Sequence, residues 1–358
     1  MPSRRAILKT MAAGTAGAYV TGLRAPTLIG AQGVRRRVQI GGRPTRVIDG
    51  HAHCVIPVTD IVQGTPLAKM GGGSGGSILG PQRLQVMDEQ GVDVQALTIN
   101  GFWWYGATDR ELADRIVRAQ NEGLAKWVAQ HPDRFVAMAS VALQHPDQAA
   151  TQLEDGVKRL GLRGASIGGH VNGEDLSLPK YDSFWAKTVE LGVPVVMHPG
   201  GAENIVKEGA FRGRGDLGNI IGNPLETTYF LSRLIFDGLF DKFPGLRVCA
   251  AHAGGYLPSY LGRTEAACVV RANANCANRK KPSEYLKTQV FIDTMVFSPE
   301  GLRHLVAEVG VSQVVYGTDV PFNWPVSVDL VLEASFLSDA EKEAVLSGNL
   351  RKLLRIPA

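Results

Sequence analysis

From residue 46 onward, apolar positions along the chain alternate between two periods. Short runs rich in β-branched residues fall at 46–50, 93–99, 135–141, 163–167, 193–197, 246–251, 289–293 and 313–318, and such runs predict buried strands. Stretches with apolar residues at helical spacing follow at 82–90, 109–130, 147–160, 182–191, 225–238, 256–272, 299–309 and 338–354. Gly91, Pro132, Gly161, Gly192, Gly245 and Gly310 punctuate the alternation. Eight strand–helix units in succession predict an α/β protein, a (β/α)8 TIM barrel. An open doubly wound sheet would place a glycine-rich phosphate loop after its first strand. This chain has His51-Ala52-His53 there instead.

Two insertions interrupt the pattern, 55–81 after the first strand and 199–223 after the fifth. Both are βα loops, which belong to the catalytic face of a barrel. The first contains a glycine-rich run, residues 71–76, and is expected to act as a lid.

Composition is that of an ordinary globular chain, 44% hydrophobic and 20% charged over 358 residues. The net charge of +4 is confined to the N-terminus. Residues 1–31 carry Arg4, Arg5, Lys9 and Arg24 without an acid, which leaves 34 basic and 34 acidic residues beyond them. No nucleic-acid surface is indicated. Arg4-Arg5 followed by Ile7-Leu8, a small apolar stretch from Thr10 to Val20, and Ala31 as a cleavage position resemble a twin-arginine export signal. The expected organisation is a leader over 1–31 and a single barrel domain over 32–358. The mature protein would be periplasmic, with no stable membrane anchor, since no apolar run approaches about 20 residues. Four cysteines are too few for a disulfide scaffold. Cys268 and Cys276 are the one close pair, and a bridge between them stays open.

The candidate chemistry lies at strand ends. The first strand ends in His51-x-His53, the fifth in His198, the sixth in His252 and the eighth in Asp319. All C-terminal strand ends of a parallel barrel converge on one face. Imidazoles with a carboxylate suit a borderline divalent ion such as zinc. Not all five need be ligands, and an unligated histidine could transfer a proton. The fourth strand, 163–167, has no lysine that could bridge a second metal, so one metal is expected. His170 follows that strand on the same face, while His131, His145 and His304 read as capping or surface residues.

With these residues placed, the chain resembles the amidohydrolase superfamily, in the branch of the aminocarboxymuconate-semialdehyde decarboxylases and related metal-dependent decarboxylases. The resemblance runs from about Val47 to Arg351. It rests on Asp49-Gly50-His51-Ala52-His53, the segment Met87 to Gln95, His198-Pro199, His252-Ala253-Gly254-Gly255-Tyr256-Leu257-Pro258, Gly262-Arg263, and the segment Tyr316 to Phe322. It implies His51, His53, His198 and Asp319 as ligands of one divalent metal, zinc in most members and manganese as the alternative. It implies His252 as the acid/base beside a metal-bound water, and Arg83 as a contact for a substrate carboxylate. Arg263 would complete a neighbouring subunit's site in a homodimer. His198-Pro199 is followed by Gly200-Gly201, without the tryptophan that aminocarboxymuconate-semialdehyde decarboxylase has there, so the branch is named and the substrate is not. The implied function is decarboxylation of a small unsaturated or aromatic carboxylic acid. The alternative is a hydrolase or hydratase on the same barrel, acting on a lactone or a related compound.

Overall fold

A computed structural model describes residues 35–73, 77–325 and 327–357, and the proposed leader lies outside them. All eight expected strands form: β1 (Ile48–Cys54), β2 (Val94–Ile99), β3 (Phe135–Ala137, continued by Ala139–Ser140), β4 (Ala165–Ile167), β5 (Val195–Met197), β6 (Val248–Ala250), β7 (Val290–Asp293) and β8 (Val314–Val315). Neighbours pair in parallel in sequence order, β1 with β2 through to β7 with β8. The ring closes between β8 and β1. Gly50 N–H donates to the Tyr316 carbonyl at 2.9 Å, Asp319 N–H to His51 at 2.8 Å and His53 N–H to Val320 at 2.7 Å. The fold is therefore the predicted (β/α)8 barrel.

One main helix follows each strand among the described residues: α1 (Pro81–Gln90), α2 (Arg110–Gln130), α3 (Pro146–Lys158), α4 (Asp182–Leu191), α5 (Asn223–Phe236), α6 (Leu261–Val270), α7 (Pro299–Val309) and α8 (Asp339–Glu343, a π turn Ala344–Gly348, then Asn349–Leu353). Their starts follow local chemistry. The Asp109 carboxylate accepts from Leu112 N–H at 2.7 Å and caps α2, and Ser298 does the same for α7 through Gly301 N–H at 3.1 Å. The large core joins strands to the inner faces of the helices. A smaller cluster inside the ring takes Ile48, Val94, Ala96, Val136, Met138 and Cys249 among others, and Leu350, Leu354 and Ile356 from the C-terminal segment close it from below. Apolar filling thus occupies the lower barrel and leaves the upper mouth to polar side chains.

The insertion after β1 is closely packed at Gly71 and Gly73. A Cβ on Gly71 would come within 2.5 Å of Val62, and one on Gly73 within 2.4 Å of Val55. These two glycines permit close approach; residues 74–76 lie outside the described residues. Cys268 and Cys276 are joined in a disulfide, while Cys54 and Cys249 are free and buried.

Candidate metal centre

The His-x-His pair faces one way because residues two apart on a strand share a side, and β1 carries an extra residue beside it. Ile48 pairs with Val94 and His53 with Thr98, so five steps along β1 match four along β2, with the register shift between Asp49 and Ala52. Such a bulge re-aims side chains. Asp49 ties it down: its carboxylate accepts from His51 N–H at 3.0 Å, Thr318 N–H at 3.1 Å and the Thr318 hydroxyl at 2.6 Å. This links β1 to the residue before Asp319. Gly317 lies beneath, where a Cβ would come within 2.8 Å of the His51 Cβ; only glycine lets the two strands approach so closely.

Three imidazoles have their tautomer dictated by what Nδ1 meets. His51 Nδ1 lies 2.7 Å from Asp293 Oδ2, and His198 Nδ1 lies 2.8 Å from the Pro199 carbonyl. Both partners are acceptors, so each Nδ1 carries the proton. His53 Nδ1 lies 2.8 Å from Thr98 Oγ1, whose own proton goes to the Ala52 carbonyl at 3.3 Å. In the neutral rings every Nε2 therefore presents a lone pair. These lone pairs meet: His51 Nε2 and His53 Nε2 are 3.0 Å apart, and they lie 3.1 and 3.0 Å from Asp319 Oδ1. His198 Nε2, 3.8 Å from the same oxygen, is buried without a hydrogen-bond partner. Trp324 Nε1 donates to Asp319 Oδ2 at 3.0 Å and orients the carboxylate. Converging acceptors with no donor among them fit a single divalent cation.

His252 is built differently. Its Nε2 is 3.6 Å from Asp319 Oδ2, and His51, His198, His252 and Asp319 each offer one atom within 4.8 Å of the others. Distance alone would admit it as a ligand. Its Nδ1, however, has no partner, so nothing fixes the lone pair on Nε2. Its side chain is also the most exposed of the five, 14% against 4–6% for the rest. The backbone holds it aloft in an unusual way. Residues 252–255 all have positive φ, from 55° to 71°. Asp293 supports the turn by accepting from His252 N–H at 3.0 Å and Ala253 N–H at 2.8 Å. A Cβ on Gly255 would meet the Pro224 carbonyl at 2.2 Å. Strained backbone of this kind collects at functional sites.

Burial and charge act together on these groups. Burial lowers the His53 pKa to about 4 and pushes His198 well below its usual value, so both rings are neutral. His51 lies between two carboxylates. Against the lowering effect of burial, Asp319 and Asp293 push its pKa up to about 10. Burial opposes the charge on Asp319, but His51 and the neighbouring rings outweigh it and hold the carboxyl below the carboxylate range. The cluster thus calls for one positive charge at its centre, which a proton on His51 or a metal ion can supply.

The other expected site residues divide. Arg83 is buried on α1, with Nη2 donating to the His53 carbonyl and Nη1 without a partner. It stands directly behind the His-x-His pair. Arg263 is exposed on α6 and is not among the converging residues. His170 accepts from Gly173 N–H at 3.0 Å and lines a cavity of about 310 Å³ with Phe102, Trp103, Tyr105 and Glu226. His131 packs on Trp127, His145 lies at the start of α3, and His304 is exposed. Sequence reasoning missed Asp293 and Thr98, which orient His51 and His53. Asp293 left a signal, since it ends the seventh apolar run as the other polar residues end theirs. It also missed Glu226, whose carboxylate accepts from Gly169, Gly200 and Gly201 N–H at 3.0, 3.1 and 2.7 Å and so fixes the loops after β4 and β5.

The site residues lie inside the span matched by a protein-family model described as Amidohydrolase, residues 48–356. A 2-amino-3-carboxymuconate-6-semialdehyde decarboxylase of Dictyostelium discoideum is 31% identical over 277 residues, covering 76% of this chain and 75% of that one. A gamma-resorcylate decarboxylase of Rhodococcus jostii is also 31% identical, over 289 residues, covering 76% and 87%. Among solved structures, a dihydroxybenzoic acid decarboxylase of Polaromonas sp. JS666, with bound manganese and the inhibitor 2-nitroresorcinol, superposes with a TM-score of 0.75. It is 25% identical and covers 87% of this chain and 97% of its own. By the family match, the barrel and the strand-end cluster together, the chain belongs to the amidohydrolase family.

Proposed function

We propose that this protein is a metal-dependent decarboxylase of a small aromatic or unsaturated carboxylic acid. The observation that carries the reading is the set of three Nε2 lone pairs and one carboxylate oxygen aimed at a common centre beside a differently built histidine. His51, His53, His198 and Asp319 would hold one divalent ion; the donor set favours zinc, and manganese is the alternative. A cation there supplies electrostatic stabilisation for charge that develops on substrate oxygen as the carbon–carbon bond breaks. In the overall change the carboxylate leaves as carbon dioxide and a proton takes its place on carbon. His252, the least buried of the five and unpartnered at Nδ1, delivers that proton from Nε2. Arg83 holds the His53 carbonyl from behind the metal ligands and so positions them. Decarboxylase relatives at 31% identity support this reading over the hydrolase or hydratase alternative. Incubating the metal-loaded protein with hydroxybenzoates, carboxylated muconates and lactones separates the two. Carbon dioxide release from a carboxylate is expected, and acid release from lactones alone would overturn the assignment.

Residues 1–31 serve as a twin-arginine leader in this reading, and the barrel from residue 32 works in the periplasm. The Cys268–Cys276 disulfide supports an oxidising compartment. The protein works as a homodimer, with Arg263 of α6 turned toward a second copy. The exposed side chains of Tyr260, Val269 and Val270 on the same stretch support that surface.

A further inference from the structure

We propose that the floor of the barrel, opposite the metal cluster, carries a second binding site, for a small organic dianion. Two adjoining cavities of about 360 and 270 Å³ lie there and share Gly192, Leu353 and Arg355. Arg247 and Lys352 line the first and Arg163 the second. Arg163 and Arg247 stand just before β4 and β6, at the N-terminal ends of the strands, while Lys352 and Arg355 come from the end of α8 and the turn after it. No acidic side chain lines either cavity.

None of these four cations has a carboxylate partner among the described residues. Arg247 donates to the carbonyls of Pro244 and Leu246, and Arg355 donates to the Gly192 carbonyl at 2.7 Å. Arg35 and Arg134, by contrast, are matched, the first with Asp93 and the second with Asp88. Four like charges around one groove repel one another, and a bound anion relieves that repulsion. Guanidinium groups at both cavities match two carboxylate or phosphate groups. Between them the lining is apolar. Phe291 and Leu353 face the first cavity, and Val157 and Leu162 the second. The ligand class that satisfies both features has a compact hydrocarbon or aromatic body with an anionic group at each end. Arg355 also sits at φ 52°, a conformation that glycine adopts freely and arginine rarely. Its hydrogen bond to the Gly192 carbonyl places the side chain where the two cavities meet.

Calorimetric titration of the metal-loaded protein with isophthalate, benzoate and inorganic pyrophosphate tests the site. One isophthalate per subunit is expected at the floor, bound more tightly than benzoate or pyrophosphate. Binding should persist in His198→Ala, where the metal cluster is impaired. It should weaken about tenfold or more in Arg247→Gln/Lys352→Gln, because two cations that face the anion are lost, each worth up to about a factor of ten. Lys352→Gln alone, at an exposed position, keeps the test valid if the double variant does not fold, with a several-fold weakening expected. Absence of isophthalate binding, loss of it in His198→Ala, or unchanged affinity in the floor variants would overturn the proposal. Tighter binding of pyrophosphate than of isophthalate would overturn the organic body.

Discussion

His198 and His252 end neighbouring strands and their rings lie 4.9 Å apart, yet their surroundings assign them different work. The Nδ1 of His198 is committed to a backbone carbonyl, which leaves Nε2 as a ligand. Nothing commits His252 in that way. His198→Ala should therefore lose metal together with activity, because it removes one of few direct ligands. His252→Ala should keep about one metal per subunit and lose on the order of 10²–10⁴-fold in turnover, the usual contribution of a proton-transfer group. Metal content and turnover measured side by side check this; a metal-free His252→Ala beside a loaded His198→Ala means the roles are reversed. The five strand-end residues were legible in the sequence because a parallel barrel brings every C-terminal strand end together. Asp293 was not, although it ends a strand as they do. Its meaning lies in three partners, His51, His252 and Ala253, that only the closed ring brings to it.

Elements whose ends are set by local chemistry were read closely from the sequence. The helices at Asp182–Leu191 and Pro299–Val309 begin and stop where the apolar spacing does. Where tertiary contacts set the ends, the reading failed. The expected helix over 256–272 begins only at Leu261, because the left-handed run at 252–255 and Pro258 delay it. The last helix, expected over 338–354, is interrupted by a π turn. Helix α5 contributes Glu226, and its burial has a consequence for stability. Burial outweighs the three backbone donors and raises this carboxyl from 4.5 to about 7. The folded chain then keeps a proton that the unfolded chain has already lost. Stability from this group is fully present below pH 4.5 and is lost as pH rises to about 7. Glu226→Gln should flatten the dependence of Tm on pH across that window, as thermal melts at several pH values will show. An unchanged slope would mean that the backbone donors keep Glu226 ionised.

At the scale of the molecule, the charge balance separates a basic stretch, residues 1–31, from a neutral remainder. If residues 1–31 direct export through an arginine pair, Arg4→Lys with Arg5→Lys should hold the protein in the cytoplasm. Cell fractionation reads this directly, and unchanged export would mean that the leader was misread. The barrel itself was legible because apolar runs that alternate with helical stretches make parallel strands joined by helical crossovers, and eight such units close into a ring. The β1 bulge, by contrast, has no signature in the apolar pattern, since its extra residue is seen only against the register of β2. In the proposed reaction one divalent ion, held by four side chains in that ring, is needed for decarboxylation. The most direct test is to strip the protein of metal, return zinc or manganese in small steps and follow carbon dioxide release from a hydroxybenzoate substrate. No release is expected at the start, followed by a rise that breaks at one ion per subunit. Full activity in the stripped protein, or a break at two ions, would contradict it.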